Sequence, residues 1–418
     1  MVWGPILDGI GKDLASESVQ AILDDLPSEQ RVGDEPSLAG GAAGLAVLHG
    51  YLARPEDGPA HAEAARRCLQ HALATVADNP TTASLYCGLT GVGWALAHLR
   101  VRLRGLDGED DLTAIDAALL HHLDQSPWPG DYDLIDGLVG FGVYALERLP
   151  RPAAAACLRR VVEHLAETSR QCPEGIAWWT GPERQSTDTR AELPHGGYNL
   201  GLAHGVPGVV ALLGRACAAG IAVGTARPLL EAAVRWLLTQ RGTRGFSHWV
   251  GPGAAAGPGR LAWCYGDPGV AAALLYAARC LGEPAWEGQA LAIARRAAGR
   301  PPEQSGVVDA GLCHGACGLG HLFNRMHQAS GDSRLAEAAR FWFERALQMR
   351  RPGGGIGGYQ AWMAGDGGRG WVNEPGLLTG AAGIALALLA ATTAVEPAWD
   401  RVLLVAAPPL AGPSGPPA

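Results

Sequence analysis

The sequence predicts an all-α fold, an α/α toroid in which buried helices form an inner ring and amphipathic helices an outer one. The first observation is a seven-fold internal repeat, a Gly-x-x-Gly segment followed by a small or apolar run. The copies are Gly41-Ala-Ala-Gly44, Gly88-Leu-Thr-Gly91, Gly137-Leu-Val-Gly140, Gly205-Val-Pro-Gly208, Gly266-Asp-Pro-Gly269, Gly315-Ala-Cys-Gly318 and Gly380-Ala-Ala-Gly383. Successive first glycines lie 47, 49, 68, 61, 49 and 65 residues apart, which marks a repeat architecture. The second observation is the character of the runs that follow, such as LAVLHGYL, VGWALAHL, VAAALLYAA and IALALLAA. They are apolar nearly all round, as helices buried on every side are.

The third observation lies between the copies. AHAEAARRCLQHALATVAD, PAAAACLRRVVEHLAE, ARPLLEAAVRWLLTQR and RLAEAARFWFERALQMR carry apolar residues at three-to-four spacing against charged ones, the pattern of half-exposed helices. Each repeat thus pairs a buried helix with an amphipathic one. Seven such pairs stack either as an open solenoid or as a closed ring. The inner helices lack the polar face that an open concave surface requires, so closure is predicted, with the glycine turns gathered at one crowded end. Residues 1–405 are assigned to one toroid domain. The Pro/Gly-rich residues 406–418 read as a disordered tail.

Composition narrows the function. The formal net charge is −8, which argues against non-specific nucleic-acid binding. Residues 376–395 carry no charge over twenty positions, long enough for a membrane span. They contain a copy of the repeat, however, and a buried helix is expected. The start lacks a signal-peptide pattern, and nine cysteines are an odd number for a disulfide framework. A reducing compartment, the cytoplasm, is therefore expected. Trp- and Gly-rich loops near 175–185, 244–253 and 353–371 are placed to line a groove or to pack over the barrel end.

The chemistry-bearing residues precede three consecutive copies. The fourth reads Leu-Ala-His204-Gly205, the fifth Arg260-Leu-Ala-Trp263-Cys264-Tyr265-Gly266, and the sixth Cys313-His314-Gly315. Equivalent positions in a ring sit at one height, so these side chains converge. Two thiolates and an imidazole with one open position describe a catalytic zinc site. Adjacent ligands point about 100° apart on a helix, so Cys313 and His314 must act from the turn before it. Cys317, one turn further on, falls inside the helix and is not expected to be a ligand.

These residues resemble the lanthionine synthetase C-like family, the lantibiotic cyclases, over essentially the whole length. The resemblance is carried by Tyr132-Asp133-Leu-Ile-Asp-Gly137, Asn199-Leu-Gly-Leu-Ala-His204, the Arg260 to Gly269 segment, Cys313-His314-Gly315 and Gly376-Leu377-Leu-Thr-Gly380. It implies seven inner and seven outer helices and one Zn²⁺ per chain, held by Cys264, Cys313 and His314. It implies that His204 and Asp133 form an acid/base pair, supported by Arg260 and Tyr265. The implied reaction adds a peptide cysteine to dehydroalanine or dehydrobutyrine, forming a thioether ring. The implied partners are a dehydrated precursor peptide (leader plus core) and a separate dehydratase, with a transporter complex at the inner membrane face as a further candidate. Read without the resemblance, Asp133 is equally a helix N-cap, a role for which Asp136 competes, and His204 a satisfied buried histidine. Two rival functions are another zinc-dependent thiol alkylation, on a prenyl diphosphate or a glutathione adduct, and a non-catalytic zinc-stabilised scaffold that binds thiol peptides. No basic patch for a diphosphate gathers at the inner-helix starts.

Overall fold

A computed structural model describes residues 3–27, 35–53, 58–79, 81–103, 106, 112–255, 257–365 and 368–407. The fold is an α/α toroid. Among the described residues the inner helices are α2 (Ala42–Leu52), α4 (Leu89–Arg100), α6 (Leu138–Arg148), α9 (Val206–Ala218), α11 (Asp267–Leu281), α13 (Ala316–Ser330) and α15 (Ala381–Thr392). Each packs on the next, and α15 packs on α2, so the ring closes. The outer helices are α3 (Ala60–Asp78), α5 (Thr113–His122), α7 (Pro152–Thr168), α10 (Val223–Thr239), α12 (Pro284–Ala298) and α14 (Ser333–Gln348), each against the inner helix before it. The seventh outer helix is α1 (Gly9–Asp25), which comes from the start of the chain to cover α15.

Burial follows the two sequence patterns. Every residue of α15 but Leu389 is buried, whereas α14 buries Leu335, Ala336, Ala338, Ala339, Trp342, Phe343 and Ala346 along one stripe. The uncharged stretch is therefore an enclosed helix of 12 residues, and no helix among the described residues is long and apolar enough to cross a membrane. No disulfide joins any two of the nine cysteines.

Each inner helix starts at the first glycine of its repeat, with no side-chain cap. The exposed N–H groups of a helix start need acceptors, and at α2, α4, α6, α13 and α15 the preceding turn supplies backbone carbonyls. Ala316, Cys317 and Gly318 donate to Asp309, Ala310 and Gly311, while Leu138, Val139 and Gly140 donate to Asp131, Tyr132 and Asp133. The incoming chain consequently lies flat on the first helical turn. A Cβ on Gly315 or Gly318 would run into it, against Gly311 and Leu312 respectively, which explains both glycines of the motif. Where the backbone makes the caps, the side chains of the turn are released for other work.

Backbone hydrogen bonds also link neighbouring turns at the mouth. They run from Ala39 to Tyr86, Leu85 to Ile135, Leu134 to Ala203, Trp263 to Cys313, Cys313 to Leu378 and Leu378 to Ala39. At the other end, the 3₁₀ turn Ala398–Leu403 plugs the barrel. Tyr86 Oη and Trp263 Nε1 donate to the carbonyls of Val402 and Leu403. Asp400, fully buried, accepts from His321 Nε2 at 2.7 Å and from Arg325 Nη2 at 2.9 Å.

The loops that sequence reading left without structure are partly strands. β1 (Arg170–Cys172) and β2 (Gly175–Ala177) form a hairpin; β3 (Trp179–Thr180), β4 (Gly197–Asn199) and β5 (Trp249–Val250) form a small sheet in that order. A short helix, α8 (Thr187–Glu192), lies between β3 and β4, and β6 (Ala361–Gly365) pairs with β7 (Gly368–Val372). Residues 408–418, most of the expected tail, lie outside the described residues.

Candidate active site

The turn that lies against each inner-helix start takes up the six residues before its first glycine, and every site residue foreseen from sequence lies in one. Cys264 and Cys313 both stand two residues before that glycine, and His204, Tyr265 and His314 one residue before it. Arg260 stands six before, and Asp133 four before. Adjacent repeats bring these positions together, because Trp263 and Cys264 both donate their N–H groups to the Cys313 carbonyl, at 3.1 and 3.3 Å. The ligand atoms of Cys264, Cys313 and His314 all lie within 4.8 Å of one another.

This donor set fits a thiophilic metal. Two sulfurs and an imidazole nitrogen are favoured Zn²⁺ ligands. The His314 ring is oriented by Asp309, whose Oδ2 is 3.5 Å from Nε2. Its Nδ1 is buried with no hydrogen-bond partner, an arrangement that costs free energy unless something fills the gap. Charge favours a thiolate at Cys264. Its thiol is pulled well below the ordinary range by the Cys313 hydrogen bond, against burial, with His314 and Arg260 adding to the pull. Cys313 is held well above its ordinary range by its hydrogen bond to Cys264 and by burial, with the Cys264 charge adding to both. Arg260 Nη2 lies 3.4 Å from the Cys264 sulfur. Cys317 is enclosed in α13 and stands outside the cluster.

Asp133 and His204 form a second unit. His204 Nδ1 meets Asp133 Oδ2 at 2.6 Å, while Asp133 Oδ1 accepts the Asp136 N–H at 2.8 Å. The two oxygens of Asp133 thus have separate tasks. One oxygen closes the turn, as Ser84 Oγ does for the Cys87 N–H in the second repeat; the other holds a histidine. The helix N-cap itself is Gly137, so neither Asp133 nor Asp136 fills that place. Burial lowers the His204 pKa, but the bond and charge of Asp133 outweigh it, and the net shift is upward. With 43% of its side chain exposed, His204 faces the opening.

Tyr265 links the two units. Its ring centroid is 6.3 Å from that of His204, and its hydroxyl accepts from Asn199 Nδ2 at 3.0 Å. Burial pushes its pKa up, so the phenol keeps its proton. Three further residues were not foreseen as members of the site. Asn199 and Asp309 occupy the same turn position as Arg260, six before the glycine, so the repeat register was the signal for them. His248 had no such signal. It arrives on the loop before β5, 4.7 Å from the Tyr265 ring, and its Nε2 accepts the Arg260 N–H. Burial and then Arg260 lower its pKa, so it is the neutral histidine of the site.

Fold and cluster together define a class: helical toroids with a thiol–imidazole centre in the mouth. Sequence comparison gives the family, since the profile of the lanthionine synthetase C-like proteins matches residues 33–404, and the chain belongs to that family. It is 26% identical over 266 residues to the nisin biosynthesis protein NisC of Lactococcus lactis subsp. lactis. That match takes in 57% of this chain and 60% of the relative, so it spans about three-fifths of the relative's length. The solved structure of nisin cyclase is similar in fold, with a TM-score of 0.75 at 20% identity, over 94% of this chain and 98% of that one.

Proposed function

We propose that this chain is a zinc-dependent peptide cyclase that adds cysteine thiols to dehydroalanine and dehydrobutyrine, closing lanthionine and methyllanthionine rings. The observation that carries the reading is the convergence of Cys264, Cys313 and His314 within 4.8 Å in the same mouth as the His204–Asp133 pair. Cys264, Cys313 and His314 would hold the metal, which when bound supplies the substrate thiol as thiolate at neutral pH.

In ring closure a sulfur electron pair forms the C–S bond at the β-carbon. The double-bond pair moves toward the α-carbon and its amide oxygen, and the α-carbon takes a proton. His204 is suited to give that proton. Its Nδ1 is engaged by Asp133, which leaves Nε2 for the substrate, and its raised pKa keeps the imidazolium populated near neutrality. The proton lost by the thiol balances the one gained at carbon, so no co-reactant is consumed. The Arg260 guanidinium keeps positive charge beside the reacting region, where an enolate oxygen would develop. Tyr265, accepting from Asn199, retains its own O–H for the substrate. The dehydrated residues would come from a separate dehydratase.

Ring closure leaves the peptide mass unchanged and removes an alkylatable thiol. Incubation with a dehydrated, cysteine-containing precursor peptide, followed by alkylation and mass spectrometry, should show free thiols disappearing. Thiols that stay alkylatable at the rate without protein would overturn the reading.

A further inference from the structure

Six of the seven turns carry an oxygen-bearing side chain six residues before the first glycine: Glu35, Thr82, Asp131, Asn199, Asp309 and Glu374. In five of them that oxygen accepts the N–H two residues on, which closes the turn from within. Ser37 donates to Glu35, Ser84 to Thr82, Gly201 to Asn199, Gly311 to Asp309 and Gly376 to Glu374. Arg260 stands at this place in the fifth turn, and a guanidinium has no acceptor to offer. That turn also has a different shape. Gly266 has a φ of +81°, whereas the other six first glycines lie between −100° and −139°.

The fifth turn is held from outside instead. The Arg260 N–H donates to His248 Nε2 at 3.1 Å, and the Leu261 N–H to the Ser305 carbonyl at 2.7 Å. Because Nε2 accepts, the ring proton is on Nδ1. The ring is itself closely confined. A Cβ on Gly259 would come within 2.5 Å of its Cδ2 and 2.8 Å of its Nε2, so a glycine at that position leaves the ring its room. The backbone on either side of the ring is pinned as well. Leu200 donates to the His248 carbonyl at 2.9 Å, and Phe246 donates to the buried Asp267 carboxylate at 2.9 Å. At the other end of Arg260, Nη2 reaches the Cys264 sulfur.

We propose that His248 is a positioning residue: it takes the place of the acceptor that the fifth turn lacks, fixes the Arg260 backbone and so keeps the guanidinium beside Cys264. This rests on the cyclase reading above, in which Arg260 faces the developing enolate. His248 acts through Arg260 and touches neither the metal nor the reacting atoms.

Ring-closure kinetics and hydrogen exchange on the full chain test it. His248→Leu should lower kcat about tenfold or more, with KM and zinc content unchanged, and should speed exchange of the Arg260 amide. His248→Gln, whose side-chain oxygen accepts the same N–H, should restore both the rate and the protection. Gly259→Ala leaves His248 in place but puts a methyl where its ring lies, and should imitate His248→Leu. Added to Arg260→Ala, His248→Leu should cost nothing further, since a residue that acts through the guanidinium then has nothing to act through. Native kcat in His248→Leu, a glutamine variant as slow as the leucine one, or losses that multiply in the double variant each overturn the proposal. So does loss of zinc from His248→Leu, which would place the effect in the metal turn. Hydrogen exchange needs no substrate, so a native chain that closes no rings sinks the cyclase reading while the Arg260 amide still shows whether His248 holds it.

Discussion

Cys264 and Cys313 hold the same place in consecutive repeats, two residues before the glycine that begins an inner helix, and the Cys264 N–H donates to the Cys313 carbonyl at 3.3 Å. Main chain therefore sets how far apart their sulfurs stand before any ligand arrives. Elemental analysis of the purified protein should give about one zinc per chain, and Cys264→Ala or Cys313→Ala should reduce it to background. Stoichiometric zinc in either variant would mean that other side chains hold it.

Asp309 should matter to metal affinity without being a ligand. A carboxylate behind a ligating histidine fixes its ring and its tautomer, and losing such a partner weakens metal binding about 10–100-fold. Chelator competition should place Asp309→Ala in that range, with Asp309→Asn between it and the native chain. Native affinity in the alanine variant would leave Asp309 with only its backbone contacts.

Loss of the His204–Asp133 pair should separate chemistry from metal. His204→Ala should slow ring closure about 10²-fold or more while the variant keeps its zinc. Asp133→Asn should also be slow, since an amide cannot hold a cationic imidazole. Counting residual thiols after a timed incubation gives the rate, and native rates in both variants would remove the pair from the mechanism.

The pH profile has a definite sign. Burial lowers the His204 pKa but the Asp133 bond and charge raise it by more, so the imidazolium survives to higher pH than in an ordinary histidine. If the imidazolium is the proton donor, activity is full below the raised value and falls as pH climbs through it. Asp133→Asn removes the larger upward causes, so the falling limb should move to lower pH. A limb that stays in place would assign it to another group.

At the far end of the barrel, Asp400 should govern acid stability. Burial raises its pKa, but the Arg325 charge and the His321 bond bring it below the ordinary value. Its contribution is thus complete above about pH 4, the ordinary unfolded value, and is lost as pH falls through the lower folded one. Asp400→Asn should cost about 3–5 kcal/mol at neutral pH and flatten the acid limb, as read by denaturant melts across pH. A full native acid limb in that variant would point to other carboxylates.

Much of this was legible in the sequence because the repeat is a register. Once Gly266 and Gly315 are aligned, Cys264 falls on Cys313 and Tyr265 on His314, and the fold places aligned positions side by side. Asp309 and Asn199 were legible by the same alignment with Arg260, but only to a reader who knew that the turn begins six residues earlier. That turn is fixed by carbonyls, which carry no side-chain signature. His248 was hidden for a different reason. It belongs to a non-repeating loop whose position depends on the pairing of Asn199 with Trp249, and short strands within long connections leave little periodicity. The pairing of α1 with α15 was missed because the first helix precedes the first glycine motif.

The Trp3 indole donates to the Ala390 carbonyl, 387 positions away, and α1 rests on α15. During synthesis α1 therefore waits for α15, and the 3₁₀ turn that stoppers the lumen leaves the ribosome later still. A partly made chain has inner helices whose apolar flanks face water on both open edges. Closure of the ring is in this sense an event in time as well as a shape, and the growing polypeptide is at its most adhesive just before α15 meets α1 and α2.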